Sequence, residues 1–359
     1  MIAILIDSGN ESHYRFGMKT LFCSLSLALA SFVLCGAAAA QDKVVNIYSS
    51  RHYQTDEALY SGFTKKTGIK INRIEAGEDA LVERIRNEGA RSPADVLITV
   101  DAGRLWRVQQ LGLFQPVKSG VLESRIPASF REPGGQWFGF SMRARVIAYN
   151  KAKVKPEEVR SYEALADAKW NDRICVRSST NIYNLSLMGA LIDRLGEAKA
   201  QEWAGAVREN MARAPKGGDT DQLTAVAAGE CDVAISNHYY YARLARSDKP
   251  EEKAIADKLG VMMPTLAGRG THVNISGAGV LKHAPHRDAA VAFLEYLASD
   301  EAQRYFADGN NEWPTVPSVR ASNPVLNQLG EFTYDPINVA VLGRNQPLAQ
   351  KIFDRVGWK

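Results

Sequence analysis

Short apolar runs alternate with amphipathic segments along the chain that follows residue 43. The apolar runs predict buried strands at 44–48, 69–74 and 96–100. Segments with helical spacing of apolar residues follow each run and end near a glycine, which predicts helices at 57–66, 78–87 and 103–110. This alternation predicts a largely parallel sheet with right-handed crossover connections.

The alternation begins again after a broken extended pair at 138–141 and 146–149. Further strands are predicted at 174–176, 233–236, 261–263 and 272–281. Further helices are predicted at 184–195, 199–210, 221–228, 240–246, 288–297 and 301–306. No linker rich in Pro, Gly or Ser divides the two stretches, so we expect strands to join them.

Two α/β stretches joined in this way predict a two-lobed protein with a cleft between its lobes. The extended crossings between the lobes are expected at about 139–145 and about 264–273. The predicted first lobe consists of 41–142 and 271–318, and the predicted second lobe of 143–270 and 319–359. A hinged arrangement of this kind is typical of proteins that close around a ligand.

The first forty residues are predicted to be a cleaved secretory signal. Met18 and Lys19 precede an apolar stretch at 21–34, and the alanines at 37–40 offer an A-x-A cleavage site after Ala40. The apolar stretch is short for a membrane span, so we expect export rather than anchoring. Residues 1–17 precede this signal and fit a mis-assigned start.

Composition and charge narrow the classes of function that remain. The 359 residues are 45% hydrophobic and 23% charged, which is ordinary for a globular protein and excludes collagen, coiled coil and wholesale disorder. The formal charge of +4, from 44 basic and 40 acidic residues, is too weak to indicate a nucleic-acid or membrane-surface binder. We therefore expect no nucleic-acid partner.

Three groups of residues that could bind a ligand each follow a predicted strand. They are His52 with Tyr53, Tyr183, and the run Tyr239, Tyr240 and Tyr241. Ligands of open α/β sheets bind at the carboxyl ends of strands, so all three groups are expected to face the cleft. Each group by itself also fits a solvated loop or simple aromatic packing.

The three consecutive tyrosines lie where a helix is predicted to begin. Successive side chains on a helix point about 100° apart, so two neighbours can face the cleft while the third points back into the lobe. We expect Tyr239 and Tyr240 to face the cleft and Tyr241 to pack inside. An aromatic cluster that only buries surface is the alternative.

The chemistry of the three groups together favours trivalent iron. They offer one imidazole and four phenols, and a phenol binds a metal as phenolate only when a strong positive charge displaces its proton. Zinc would prefer Cys and His, and calcium or magnesium would prefer carboxylates. Neither of those sets is assembled at the three loops.

Several motifs also resemble one known family over nearly all of residues 44–359. The segments YSSRHY, FSMRARVIAYN, RSSTNIYN, GGDTDQL, SNHYYYARL and NNEWP are similar to those of periplasmic ferric-iron-binding proteins of bacterial ABC importers, in the class that holds iron with protein side chains alone. The resemblance implies the type II periplasmic-binding-protein fold, with two lobes and two hinge crossover strands. It also implies a periplasmic location.

The resemblance implies a ligand set by motif. Its iron ligands would be His52, Tyr53, Tyr183, Tyr239 and Tyr240, and Arg143 would be the arginine beside them. Four phenolates and Fe³⁺ sum to a charge of −1, which Arg143 would neutralise.

Two residues depart from the family pattern. Trp313 replaces a frequent Tyr outside the ligand set. His238 could offer an extra ligand, although we expect it to be a loop residue.

The resulting hypothesis is a receptor that captures Fe³⁺, with Fe²⁺ as a further candidate, and delivers it to an inner-membrane ABC permease. We expect a monomer. We also expect no enzyme activity, because no G-x-S-x-G, H-E-x-x-H or P-loop motif occurs. The alternatives are a receptor of the same fold for an anion, a polyamine or an iron chelate, and a non-haem iron enzyme.

Two cysteines remain after signal cleavage. Cys175 and Cys231 each lie eight residues before a proposed ligand, Tyr183 and Tyr239, near the strand that leads to it. Neighbouring strands would bring them together, and exported proteins retain disulfides. We predict a Cys175–Cys231 disulfide, with two buried free thiols as the alternative.

Overall fold

The structure is a computed structural model that describes residues 43–359 apart from His52 and Gln54. The predicted signal at 1–40, with its possible alternative start after residue 17, lies outside the described residues. Within the described part of the chain, no helix is long and apolar enough to cross a bilayer.

Nine strands and thirteen α-helices alternate along the described chain. The strands are β1 (Val44–Ser49), β2 (Lys70–Glu75), β3 (Val96–Val100), β4 (Phe138–Asn150), β5 (Ile174–Cys175), β6 (Val233–Asn237), β7 (Leu259–Met262), β8 (Val273–Val280) and β9 (Trp313–Pro314). The helices are α1 (Asp56–Thr67), α2 (Glu78–Glu88), α3 (Ala102–Gln110), α4 (Gly120–Arg125), α5 (Ile182–Leu195), α6 (Glu197–Glu209), α7 (Asp219–Ala228), α8 (His238–Arg246), α9 (Pro250–Lys258), α10 (Arg287–Leu297), α11 (Asp300–Asn310), α12 (Pro324–Leu329) and α13 (Ala340–Val356).

The strands form one mixed sheet in the order β2-β1-β3-β8-β4-β6-β5, and β7 and β9 also pair with β4. The pairs β1–β2, β1–β3 and β5–β6 are parallel, as the alternating pattern predicts. The other five pairs in the described chain are antiparallel, so the prediction of a largely parallel sheet is wrong; they are β3–β8, β4–β8, β4–β6, β4–β7 and β4–β9. The two parallel parts are therefore connected through an antiparallel centre made by β4 and β8.

Strand β4 is continuous, so the prediction of a broken pair at 138–141 and 146–149 is wrong. Its first half pairs with β8, where Arg143 lies opposite Asn274. Its second half pairs with β6, where Arg145 lies opposite Asn237. The two arginines look like an interruption in the hydrophobic pattern, but both are buried among carboxylate partners. The strand thus runs through the centre of the fold.

The second crossing is less regular than the first. Residues 263–272 connect β7 to β8 through a turn, with isolated bridges at Thr265 and Thr271. The described chain nevertheless has the predicted order of two α/β stretches joined by strands. The bounds of the lobes stay predictions.

Helix α13 is the largest element for which the hydrophobic pattern gives no prediction. It is 17 residues long and contains Pro347, a residue that ordinarily breaks a helix interior. It packs against α5 and α3. A Cβ atom on Gly343 would overlap the side chain of Trp106, so this crossing of α13 and α3 requires glycine.

The predicted disulfide is confirmed: Cys175 and Cys231 are bonded, with their Cα atoms 5.8 Å apart. Cys175 ends β5 and Cys231 lies two residues before β6, and these two strands are parallel neighbours. The bond closes a loop with a sequence separation of 56. The chain-entropy model gives a stabilisation of about 4 kcal/mol for such a loop.

Candidate metal centre

The candidate site is built around two arginines of β4 that point to the same side of the strand. The Arg143 guanidinium lies 2.7 Å from Oε1 of Glu312, and Arg145 pairs with Asp219. All four side chains are at most 2% exposed. Charges buried this deeply are tolerated only when they are paired and hydrogen-bonded, so the two pairs fix both arginines in place.

Glu312 is held by more than one cation. Its Oε2 lies 3.4 Å from Arg51, and it also accepts hydrogen bonds from Ser141 and Ser276. Burial by itself would raise the pKa of this carboxyl, but Arg143 and Arg51 outweigh burial and hold the pKa at about 2. Glu312 is therefore ionised at neutral pH and bridges the loop after β1 to β4.

Tyr53 lies in that loop after β1, as predicted. Nη2 of Arg143 donates a hydrogen bond to its hydroxyl oxygen at 3.0 Å. The guanidinium of Arg51 lies 4.7 Å from the centre of its ring. The neighbouring His52, the only imidazole in the predicted ligand set, lies outside the described residues.

The other three predicted tyrosines lie in the first turns of α5 and α8. Asn181 caps α5 by accepting a hydrogen bond from the backbone N–H of Tyr183. The Tyr239 hydroxyl lies 3.3 Å from the Tyr183 hydroxyl. The rings of Tyr239 and Tyr240 lie 4.4 Å apart, and Tyr239 is fully buried.

Arg243 links Tyr53 to the tyrosines of α8. Its guanidinium lies 5.0 Å from the ring centre of Tyr53, 5.2 Å from that of Tyr239 and 5.4 Å from that of Tyr240. Arg243 is not among the site residues predicted from the sequence. It could have been found from its spacing, because it lies four residues after Tyr239 and three after Tyr240, and such residues share one helix face.

The charge balance of the cluster is therefore different from the one expected with Arg143 alone. Arg143 is paired with Glu312, so its charge is shared between that carboxylate and the phenols. Arg243 adds a second positive charge over three of the rings.

Burial keeps Tyr239 and Tyr240 from ionising by themselves. It raises the pKa of Tyr239 well above 10, and negative charge on Tyr183, Tyr53 or Tyr240 would raise it further, whereas Arg143 opposes the rise. The pKa of Tyr240 is raised by burial and by Tyr183 in the same way. These phenols stay protonated at neutral pH unless a strong cation displaces their protons.

Tyr241 lies on another face of α8, as the helix geometry predicts. Like Tyr240, it packs against the small hydrophobic cluster that contains Cys175 and Cys231. Its pKa is raised by burial, Asp257 of α9 and Tyr149 of β4, and not by the predicted ligand tyrosines.

His238 is not the loop residue that we expected. It is the first residue of α8 and is fully buried. Its Nε2 lies 2.7 Å from the carbonyl oxygen of Asn311, and its Nδ1 lies 3.1 Å from the backbone N of Ala144. Burial lowers the pKa of His238 to about 4, and its ring stacks on Trp313 at 4.0 Å. Because both ring nitrogens have backbone partners, His238 connects elements and is a poor extra ligand.

Two buried acids that organise the site were missed from the sequence. Glu312 belongs to the NNEWP motif and Asp219 to the GGDTDQL motif. The signal available was an acid within each of these two motifs, to be matched with the two arginines of FSMRARVIAYN. Among the residues that the structure describes, no group of three or more His, Cys, Asp or Glu could hold a metal, so the phenols form the candidate centre.

Comparisons with known proteins give a consistent picture. The family profile of bacterial extracellular solute-binding proteins matches residues 91–332. Iron uptake protein A2 of Synechocystis is 52% identical over 350 residues, covering 96% of this chain and 99% of the relative. The major ferric iron-binding protein of Neisseria meningitidis serogroup B is 30% identical over 349 residues, covering 95% of this chain and all of the relative.

Two solved structures have the same fold. A Trichodesmium protein in complex with iron and citrate ligands is 55% identical, with a TM-score of 0.86 over 88% of this chain and all of that one. The ferric binding protein from Campylobacter jejuni is 40% identical, with a TM-score of 0.82 and the same coverage.

Replacing Glu312 with Gln should destabilise the protein, because Arg143 loses its carboxylate partner and Arg51 keeps only Asp56. Removing one partner of a buried pair costs about 3–5 kcal/mol. The pKa of about 2 lies below the ordinary 4.5, so this carboxylate adds stability above pH 4.5 that is lost as the pH falls through 2. Urea unfolding should therefore show a large difference from wild type at pH 7 and a smaller one at pH 3.

The matched control for this variant is Glu202→Gln, which changes an exposed glutamate of α6. It should leave the unfolding midpoint unchanged at both pH values. A difference between Glu312→Gln and wild type that is equally large at pH 3 and pH 7 would contradict the ionised state of Glu312.

Proposed function

This chain belongs to the family of bacterial extracellular solute-binding proteins, and we propose that it captures ferric iron in the periplasm and delivers it to an ABC permease. The observation that carries the proposal is a cluster of four phenols, three of which contact Arg143 or Arg243, while the fourth, Tyr183, lies next to the Tyr239 hydroxyl. Phenolate oxygens are hard anionic donors, which suit a small trivalent cation.

We propose His52, Tyr53, Tyr183, Tyr239 and Tyr240 as the iron ligands. The hydroxyls of Tyr183 and Tyr239 are adjacent, and Tyr53 shares Arg143 and Arg243 with the tyrosines of α8. An arriving Fe³⁺ would displace the phenol protons, and four phenolates would leave a net charge of −1. The two arginines would offset this charge in a buried setting.

The names of the relatives support a binding role. The Synechocystis relative is named as an iron uptake protein and the Neisseria relative as a ferric iron-binding protein. A receptor role needs no reaction, and we propose that the chain acts as a monomer without catalysis or nucleic-acid binding. Iron that arrives as a chelate is the second candidate, because the Trichodesmium structure is described with both iron and citrate.

Tyr239→Phe and Tyr240→Phe should each remove an anionic ligand. Iron affinity should fall by more than the roughly 10- to 100-fold that loss of an outer-sphere partner costs. The phenolate-to-iron charge-transfer band should weaken in both variants. Titration with ferric nitrilotriacetate, followed by visible absorption, measures both effects.

Tyr241→Phe is the matched control, since it removes a hydroxyl from the adjacent packing ring. It should keep the band and the affinity of the wild type. If Tyr241→Phe bleaches the band and Tyr239→Phe does not, the proposed ligand register is wrong.

Arg143→Ala should make the protein release iron at a higher pH than wild type. The guanidinium favours the ionised form of the phenols, because it lowers the pKa of Tyr239 and donates to the Tyr53 hydroxyl. Without that charge, protons compete with iron more strongly. The charge-transfer absorbance followed from neutral pH downward should show the shift.

Arg143→Lys tests whether charge or geometry matters in this release. It keeps the positive charge but loses the forked contact with Glu312, so its release curve should lie between those of wild type and Arg143→Ala. Coincident curves for wild type and Arg143→Ala would remove Arg143 from the site.

A further inference from the structure

A small enclosed space adjoins Tyr183 and lies between β4, β8 and the start of α3. The space open to the centre of a water molecule is about 10 Å³, which is room for about one water. Its lining residues are polar: Asp101, Arg143, Arg145, Tyr183, Asn237, His272 and Asn274. We call this space the hinge chamber.

Five side-chain atoms from the lining of the hinge chamber have no hydrogen-bond partner in the protein. They are Oδ2 of Asp101, Nη1 of Arg143, Nε of Arg145, Nδ1 of His272 and Nδ2 of Asn274. Each residue is more than nine-tenths buried. Only ten such atoms occur in the described part of the chain, so half of them surround one cavity. Buried polar groups in native proteins are normally paired, which indicates a bound partner here.

Hydrogen bonds to the other oxygen of each side chain hold Asp101 and Asn274 in fixed orientations. Oδ1 of Asp101 accepts hydrogen bonds from the backbone N of Gly103 and the hydroxyl of Ser186. Oδ1 of Asn274 accepts from the backbone N–H groups of Ala102 and Ile275. If the Asn274 amide were flipped, its NH₂ group would face the backbone N–H groups of Ala102 and Ile275, and no hydrogen bond could form between these donors. Both free atoms must therefore remain directed away from these partners.

The arginines are fixed in the same way. Nε and Nη2 of Arg143 donate to Glu312, and the two terminal nitrogens of Arg145 donate to Asp219, Asn237 and Asn184. Neither guanidinium can turn its remaining N–H group elsewhere without breaking a buried ion pair. Asp101 also has a φ of 80°, an unusual value for a residue other than glycine, which shows that its position is strongly constrained.

The mixture of donors and acceptors selects the occupant. Arg143, Arg145 and Asn274 can only donate from their free atoms, whereas Oδ2 of Asp101 accepts. Burial and Arg145 lower the pKa of His272 to about 3, so its ring is neutral and Nδ1 can accept or donate. The space has room for about one water and is too small for a chloride ion, and the two guanidinium groups would repel a cation. A water molecule can accept from two of the three donors and donate to Asp101 and His272.

We propose that the hinge chamber is a binding site for one ordered water molecule, which joins the two central strands β4 and β8 to the amino end of α3. Asp101 also binds Ser186 of α5, so this water connects parts of both predicted lobes. Of the proposed iron ligands, only Tyr183 lines the hinge chamber. It does not depend on the proposed function.

Crystals of the wild-type protein grown in sodium bromide test the occupant directly. In an electron-density map that resolves ordered water molecules, we expect one peak within hydrogen-bond distance of Oδ2 of Asp101. That peak should give no anomalous signal at the bromine absorption edge. An empty chamber would overturn the proposal. A bromide signal would overturn it as well, because the chamber would then be an anion site.

Asp101→Asn provides the matched change, because it exchanges the accepting Oδ2 for a donating amide. The chamber should then lose its ordered water, because His272 is the one acceptor left among its free atoms. Asp95→Asn, which changes another fully buried carboxylate, should leave the chamber as in wild type. Water that persists in Asp101→Asn would contradict the role of Asp101 as the acceptor that holds it.

Oxygen-17 relaxation dispersion of water tests the site in solution. The wild-type protein should show one more long-lived internal water than the Asp101→Asn variant. An equal number in the two proteins would contradict the proposal.

Discussion

The fold depends on two positive charges buried in the middle of its central strand. Arg143 and Arg145 of β4 are tolerated there because Glu312 and Asp219, from distant parts of the chain, neutralise them. Each pair ties β4 to an element on one side of it: Glu312 precedes β9, and Asp219 begins α7. The strand that connects the two parallel parts of the sheet is thus also the strand that gathers the site.

The same arginines prepare the tyrosines for a cation. Arg143 donates to Tyr53 and lies 5.0 Å from the ring of Tyr239, while Arg145 lies 5.8 Å from the ring of Tyr183. Burial keeps Tyr239 and Tyr240 neutral until a strongly charged ion arrives, whereas Arg143 favours the phenolate form of Tyr239. A site of this kind can bind Fe³⁺ tightly and still release it when protons or a conformational change compete.

The sequence predicts most of this architecture and fails where a buried charge is involved. Helix and strand periods locate β1, which precedes the loop of Tyr53, and the helices whose first turns contain Tyr183 and Tyr239. The cysteine positions predict the disulfide. Hydrophobicity alone cannot predict that β4 continues through two arginines, because their partners lie more than seventy residues away in sequence. The same limit applies to His238, whose two backbone partners lie 94 and 73 residues away. Long-range pairs of polar groups leave no periodic signal.

The central claim is that tyrosine phenolates hold the iron, and resonance Raman spectroscopy of the iron-loaded protein tests it most directly. Excitation within the visible absorption band should enhance the ring and C–O vibrations of iron-bound tyrosinate, with an iron–oxygen mode that shifts when ⁵⁷Fe replaces ⁵⁴Fe. Iron that binds in stoichiometric amount without any enhanced tyrosinate vibration would contradict the claim, because the phenol cluster would then not contain the metal ligands.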